Sequence, residues 1–213
     1  MIKYKSCYGY SITEQQASGD FDKEYYIGDV IKQIDHYDND ELDYITYYLS
    51  PEENLNAKLG ELNQLTKTIL IYSDKEVLGN FTSWMATYYE HLVLSARENW
   101  VFDNQHRAIA IRFFTLDGSK IEETVKSYYM PNINPAGNTY GIPGYGQIKF
   151  YYRPDPEDNY AGINIDGFED DMYKLSADGA KIFNHFMIAR LFKWEDHPYY
   201  HSAEPLVPTT PDV

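Results

Sequence analysis

A chain of 213 residues with 43% hydrophobic and 24% charged side chains has the make-up of a folded globular protein. At this length it buries ~70% of its unfolded surface and needs no disulfide or metal staple. Its formal net charge of −15 argues against nucleic acid, whose phosphates require a basic stripe, and equally against an anionic membrane surface. A basic protein partner, bound cations or simple solubility stay open.

The lone Cys7 permits no internal disulfide and has no cationic cluster beside it, so it is expected as a small packed side chain. Met1-Ile2-Lys3-Tyr4-Lys5 lacks the apolar core of a secretory signal, and no run approaches the length of a membrane helix. The expectation is a cytoplasmic protein.

In chain order, residues 2–12 alternate apolar and polar and predict a half-buried strand. Gln15 to Asp22 reads as a loop. From Tyr25 to Tyr37 the pattern is compatible with either helix or strand. Asp38-Asn39-Asp40-Glu41 resembles a helix start, so a short helix is expected through Leu42, Ile45, Tyr48 and Leu49.

Residues 50–99 predict a long helical hairpin. Ser50-Pro51-Glu52-Glu53 has the form of a capping box, followed by Leu55, Leu59, Leu62, Leu65 and Ile69 at helical spacing. Ser73-Asp74-Lys75-Glu76 repeats the device before Val77, Phe81, Trp84, Met85, Tyr88, Leu92 and Ala96. Ala108 to Leu116 then reads as a central strand, Asp117-Gly118 as a turn, and Ile121 to Tyr129 as a returning strand in preference to a helix. Residues 131–146, with three prolines and four glycines, form a long loop. Strands at 147–152 and 161–165 follow, then a helix over 176–195.

The fold expected is α+β: a mostly antiparallel sheet packed against the helical hairpin and a C-terminal helix. One domain spans 1–195, and residues 196–213 form an extended Pro-rich tail.

Chemical motifs are sparse. His197 and His201, flanked by Asp196 and Glu204, are the best metal candidates, but Pro198 between them separates the rings. The stretch from Asn164 to Asp171 resembles a calcium loop, yet Gly162 and Tyr173 stand where oxygen ligands are needed. Glu90-His91 and His106-Arg107 are acid/base candidates that no spacing brings together. Nucleophile elbows, phosphate loops and dinucleotide fingerprints are absent from the sequence.

What remains is distribution. Asp35, Asp38, Asp40, Glu41 and Asp43 lie beside Tyr44 and Tyr47; Asp155, Glu157, Asp158, Glu169, Asp170 and Asp171 lie around Tyr160. Phenol rings supply rigid contact area, and carboxylates steer cations. These residues are expected to form the binding surface of an acidic, non-enzymatic protein that engages and neutralises a basic partner, as an immunity protein or inhibitor does, without a cofactor. One alternative is a self-assembling viral or phage-like structural protein, using its Tyr/Pro/Gly-rich loop and tail on neighbouring copies. The other is a metal-dependent hydrolase.

Overall fold

A computed structural model describes residues 1–7, 9–134, 144–165, 168–175 and 192–209, without the side chains of 130–146 and 163–173. The described residues are mainly β, with thirteen strands and one α-helix. This corrects the α+β expectation.

The chain forms two compact units, Met1–Glu76 with Trp84–Glu98, and Val77–Ser83 with Asn99–Val213. In the first, β1 (Ile2–Ser6), β2 (Ser11–Ile12), β3 (Phe21–Ile27), β4 (Val30–Asp38) and β5 (Glu41–Tyr48) pair antiparallel in the order β2-β1-β3-β4-β5. The single strand expected over 2–12 is thus two, and Cys7, expected packed, is exposed where the chain turns between them. The ambiguous stretch 25–37 is two strands joined by a turn at Gly28-Asp29, and the short helix expected after Asp38 is strand. Asn39 (φ 50°) and Asp40 (φ 66°) make a two-residue hairpin turn there, a left-handed conformation that Asn and Asp tolerate.

The helix α1 (Leu55–Leu62) is all that exists of the expected helical hairpin. Glu53 does reach back to the Ser50 backbone N–H at 2.7 Å, as the capping-box reading required. The cap itself is Asn54, whose side chain accepts from the Ala57 N–H at 2.9 Å. α1 carries the chain over to β6 (Thr68–Leu78), which pairs parallel with β5, Tyr44 opposite Thr68 and Tyr48 opposite Tyr72. Leu59 and Leu62 close a core with Ile45, Tyr47, Ile69 and Ile71, so one face of this sheet is sealed by the helix.

The expected second helix is instead the end of β6 with β7 (Phe81–Glu90) and β8 (Val93–Phe102). Thr82, Trp84, Thr87, Tyr88 and Tyr89 favour a pleated surface. Gly79 (φ 63°) makes one turn and His91 (φ 50°) with Leu92 (φ 67°) the other.

In the second unit β9 (Ala108–Phe114), β10 (Ile121–Asn134), β11 (Gly144–Tyr152), β12 (Tyr160–Ile165) and β13 (Phe168–Lys174) follow one another antiparallel. The strands expected at 108–116, 121–129, 147–152 and 161–165 are all present. Residues 192–209 cover this sheet: Phe192 and Tyr200 pack on Ile148, Phe150, Tyr152 and Ala161, and Leu206 on Phe81, Val101, Ile109 and Ala110. The tail expected as extended from Asp196 contains the 3-10 turn Pro198–His201, and the end of the helix expected over 176–195 is instead the 3-10 turn Trp194–Asp196. The helix expected from Ser176 lies outside the described residues up to Leu191. No helix among the described residues is long and apolar enough to cross a membrane.

Candidate functional site

The β4–β5 turn gathers charge. Asp20, just before β3, accepts from the Asn39 N–H at 3.0 Å, and Asp40 accepts from the Gly19 N–H at 2.7 Å, which ties the loop to the turn. This places Asp20 against Asp38, with Asp43 and Glu41 close by. Hydrogen bonding to Asp20 and then the repulsion of all three raise the Asp38 pKa. Asp38, Asp40, Glu41 and Asp43 are exposed. Among the described residues no Lys or Arg forms an ion pair with any of the five.

Other residues of the expected first cluster face elsewhere. Asp35 is 5% exposed and accepts from Tyr25 Oη at 2.8 Å and Gln33 Nε2 at 2.6 Å. Tyr47 is buried, its hydroxyl donating to Glu53 at 2.6 Å. Burial pushes the Glu53 carboxyl up, but Lys32, Tyr47 and the Ser50 N–H together overcome it and hold the pKa down at about 2.

The sheet face opposite α1 is aromatic and acidic. Tyr44, Thr46 and Tyr48 of β5 share it with Leu70 and Tyr72 of β6, as the register requires. Tyr48 stacks on Tyr72 at 5.2 Å, and Trp84 sets its edge against both at 5.3 and 6.0 Å. Next along the sheet, His36 stacks on Tyr44 at 4.0 Å, its Nδ1 2.7 Å from Asp22 and its Nε2 3.0 Å from the Thr46 hydroxyl. That string has the order of an acyl-transfer relay. Thr46, however, is 4% exposed, and its backbone lies in the ladders with β4 and β6. The string therefore fixes the imidazole rather than arming a nucleophile. Burial, followed by neighbouring carboxylates, raises the phenol pKa values of Tyr26, Tyr44 and Tyr48, so these rings stay neutral beside the acids.

The second expected cluster is mixed. Asp155 accepts from the Glu157 N–H at 3.0 Å and opens the 3-10 turn Pro156–Asp158. Tyr160 stacks on Tyr151 at 4.3 Å, and the Arg153 guanidinium lies 5.1 Å above it while donating to Glu123 at 3.0 Å. Glu169, Asp170 and Asp171 belong to β13, a strand of the β12–β13 hairpin. The histidines diverge: His197 stacks on Phe192 at 4.6 Å, and His201 on Trp194 at 4.2 Å. Among the described residues no three His, Cys, Asp or Glu side chains gather as a metal would need.

A cleft of about 390 Å³ in this unit is lined by Tyr152, Pro156, Glu157, Asn159, Leu175, Trp194 and His201. Several of its polar groups are committed internally. Tyr152 Oη donates to the Tyr200 carbonyl, Asn159 Oδ1 takes the Arg153 N–H at 2.8 Å, and His201 Nε2 meets the Trp194 carbonyl at 2.7 Å.

Nearby, Lys126 of β10 is 0% exposed. Its ammonium donates to the Tyr199 carbonyl at 2.7 Å and lies 3.9 Å from the centre of that ring. Burial lowers its pKa to about 7, with Glu204 pulling it up and Arg112 pushing it further down. Sequence reasoning missed Lys126, Asp20, Asp22, Glu24, His36 and Trp84. For Asp22, Glu24 and Tyr26 the alternation ahead of a Gly28 turn was the available signal.

No protein family, characterised protein or solved structure matches the chain.

Proposed function

We propose that this is a non-enzymatic binding protein that engages a basic protein partner through carboxylates of its first unit, and neutralises that partner by covering a cation-rich surface. The observation that carries the reading is the exposed group Asp20, Asp38, Glu41 and Asp43, held close enough to raise the Asp38 pKa. Unrelieved like charge costs the fold, and it presents an external cation with a complementary surface. Such a surface steers association, so affinity must fall as salt rises.

The test uses the full chain against a panel of Lys/Arg-rich peptides at low and high ionic strength. Binding is expected to weaken steeply with salt. The combined variant Asp38→Asn, Glu41→Gln, Asp43→Asn is expected to lose about tenfold in affinity or more and to flatten the salt dependence. Equal binding by variant and native chain at both ionic strengths would remove the basis of this reading.

A further inference from the structure

We infer that the aromatic face of the first unit is an arginine-reading surface, on which guanidinium groups of the basic partner stack; this rests on the reading above and names the chemistry it selects. The face runs across β3 to β6, and Trp84 of β7 is set against it. Glu24 lies opposite Ile34, Ile34 opposite Thr46, and Thr46 opposite Leu70, while Asp22 lies opposite His36 and His36 opposite Tyr44. Directly opposed residues share a face, so Asp22 and Glu24 stand on the same surface as Tyr44, Tyr48 and Tyr72. Tyr26 joins them, its hydroxyl donating to Glu24 at 2.8 Å. Helix α1 seals the other side. On this side Tyr44, Tyr48, Trp84 and Tyr88 are all half-buried, and the Asp22 side chain is 35% exposed.

Charge complementarity selects the occupant. The rings are neutral, the named acids are Asp22 and Glu24, and the whole chain carries −15. The protein's own cations already use the surface: Lys75 sits 5.2 Å from the centre of the Trp84 ring and Lys3 4.1 Å from that of Tyr26. Both are exposed, and a partner's cation competes for the same π-faces. Arginine is favoured over lysine because its planar, weakly hydrated guanidinium stacks on a ring while its fork still pairs with a carboxylate. Trp84 beside Tyr48 offers the ring contact, and Glu24, two strands from β5 on the same face, offers the carboxylate.

The experiment titrates the full chain with a nona-arginine peptide and, separately, a nona-lysine peptide of equal charge. Arginine is expected to bind about tenfold more tightly. Trp84→Leu and Glu24→Gln, each checked for a native circular dichroism spectrum, are expected to bring the ratio toward one. The Asp38, Glu41, Asp43 variant is expected to weaken both peptides alike and keep the ratio. Salt-dependent binding with no arginine preference overturns this inference and leaves the basic-partner reading standing. No salt-dependent binding of either peptide overturns both. A preference that survives Trp84→Leu and Glu24→Gln overturns the placement on this face. If Trp84→Leu fails to fold, the native ratio and Glu24→Gln still decide.

Discussion

The two units use tyrosine in opposite ways. In the second, hydroxyls end on backbone carbonyls: Tyr152 on Tyr200, Tyr199 on Leu206 at 2.6 Å, Tyr200 on Ser127 at 3.2 Å and Tyr129 on Ala108 at 3.0 Å. In the first they end on carboxylates: Tyr4 on Glu14 at 2.9 Å, Tyr25 on Asp35, Tyr26 on Glu24 and Tyr47 on Glu53. A phenol on a carbonyl satisfies a neutral acceptor and lets a ring be buried. A phenol on a carboxylate leaves a net negative charge beside an aromatic surface. The first arrangement closes a core; the second also serves the core at Tyr47 and Asp35, and at Tyr4 and Tyr26 it keeps a carboxylate beside a half-buried ring.

The largest effect is expected where the ring is core. Tyr200→Ala empties a fully enclosed site against Phe150 and Phe192 and is expected to cost about 3–5 kcal/mol. Tyr200→Phe, which removes only the hydroxyl, is expected to cost about 1 kcal/mol. Denaturant unfolding measures both. Tyr48→Ala, on the open face, should cost clearly less than Tyr200→Ala; equal losses would erase the distinction between the units.

Lys126 gives the next effect, with the opposite sign. Its pKa of about 7 in the fold lies below the ordinary lysine value of ~10.4. Between these values the unfolded chain holds a proton that the native chain does not. Stability from this group is therefore greatest at high pH and is lost as pH falls toward 7. Of the groups facing it, Glu204, Arg112 and Tyr199, burial raises the Tyr199 phenol, which therefore stays neutral from pH 7 to 9.5. Lys126→Met is expected to stabilise the protein at pH 7 by about 1–4 kcal/mol and to flatten the rise in stability between pH 7 and 9.5. Thermal melts across that range read it.

The second unit was largely legible because its strands alternate and Asp117-Gly118 has one local meaning. The first was not. Trp84, Met85, Tyr88, Leu92 and Ala96, with Val77 and Phe81 of the second unit ahead of them in the chain, match a helical period by coincidence with two turns. The Gly79-Asn80 turn carries a recognisable signature, whereas His91-Leu92 adopts positive φ with residues that do not announce it. Asp38-Asn39-Asp40-Glu41 suits a helix cap and a tight hairpin equally, since Asn and Asp serve both. The exposed acids at that turn were visible in composition. Their company was not: Asp20 reaches Asp38, and Asp22 reaches His36, only through the register of β3 on β4. Lys126 was hidden because its partner lies 73 residues on, in a tail that folds back.

Glu53 marks the reverse of the open turn, an acid that is fully partnered. Its pKa of about 2 lies below the ordinary value of ~4.3. The stability it supplies is present above pH ~4.3 and is lost as pH falls toward 2. Glu53→Gln keeps the shape but removes the charge that Lys32, Tyr47 and Ser50 bind. A loss of about 1 kcal/mol is expected at pH 7, solvent screening included, shrinking as the native chain is acidified. A loss that does not depend on pH would locate the role of Glu53 in shape alone.

Asp38 carries the smallest effect and the sharpest contrast. Its carboxyl is raised, chiefly by Asp20, so ionisation works against the fold: stability from this site is greatest below the ordinary carboxylate pKa and is lost as pH rises above it. Asp38→Asn is expected to raise the melting midpoint slightly at pH 7, less at high salt, and not at all once the native carboxyl is protonated. The same variant should weaken binding of cationic peptides. Gain in the fold together with loss in binding is what separates an acid kept for a partner from one kept for structure, and Glu53→Gln should move only the fold. If Asp38→Asn leaves both unchanged, the turn carries charge without consequence, and its contrast with Glu53 disappears.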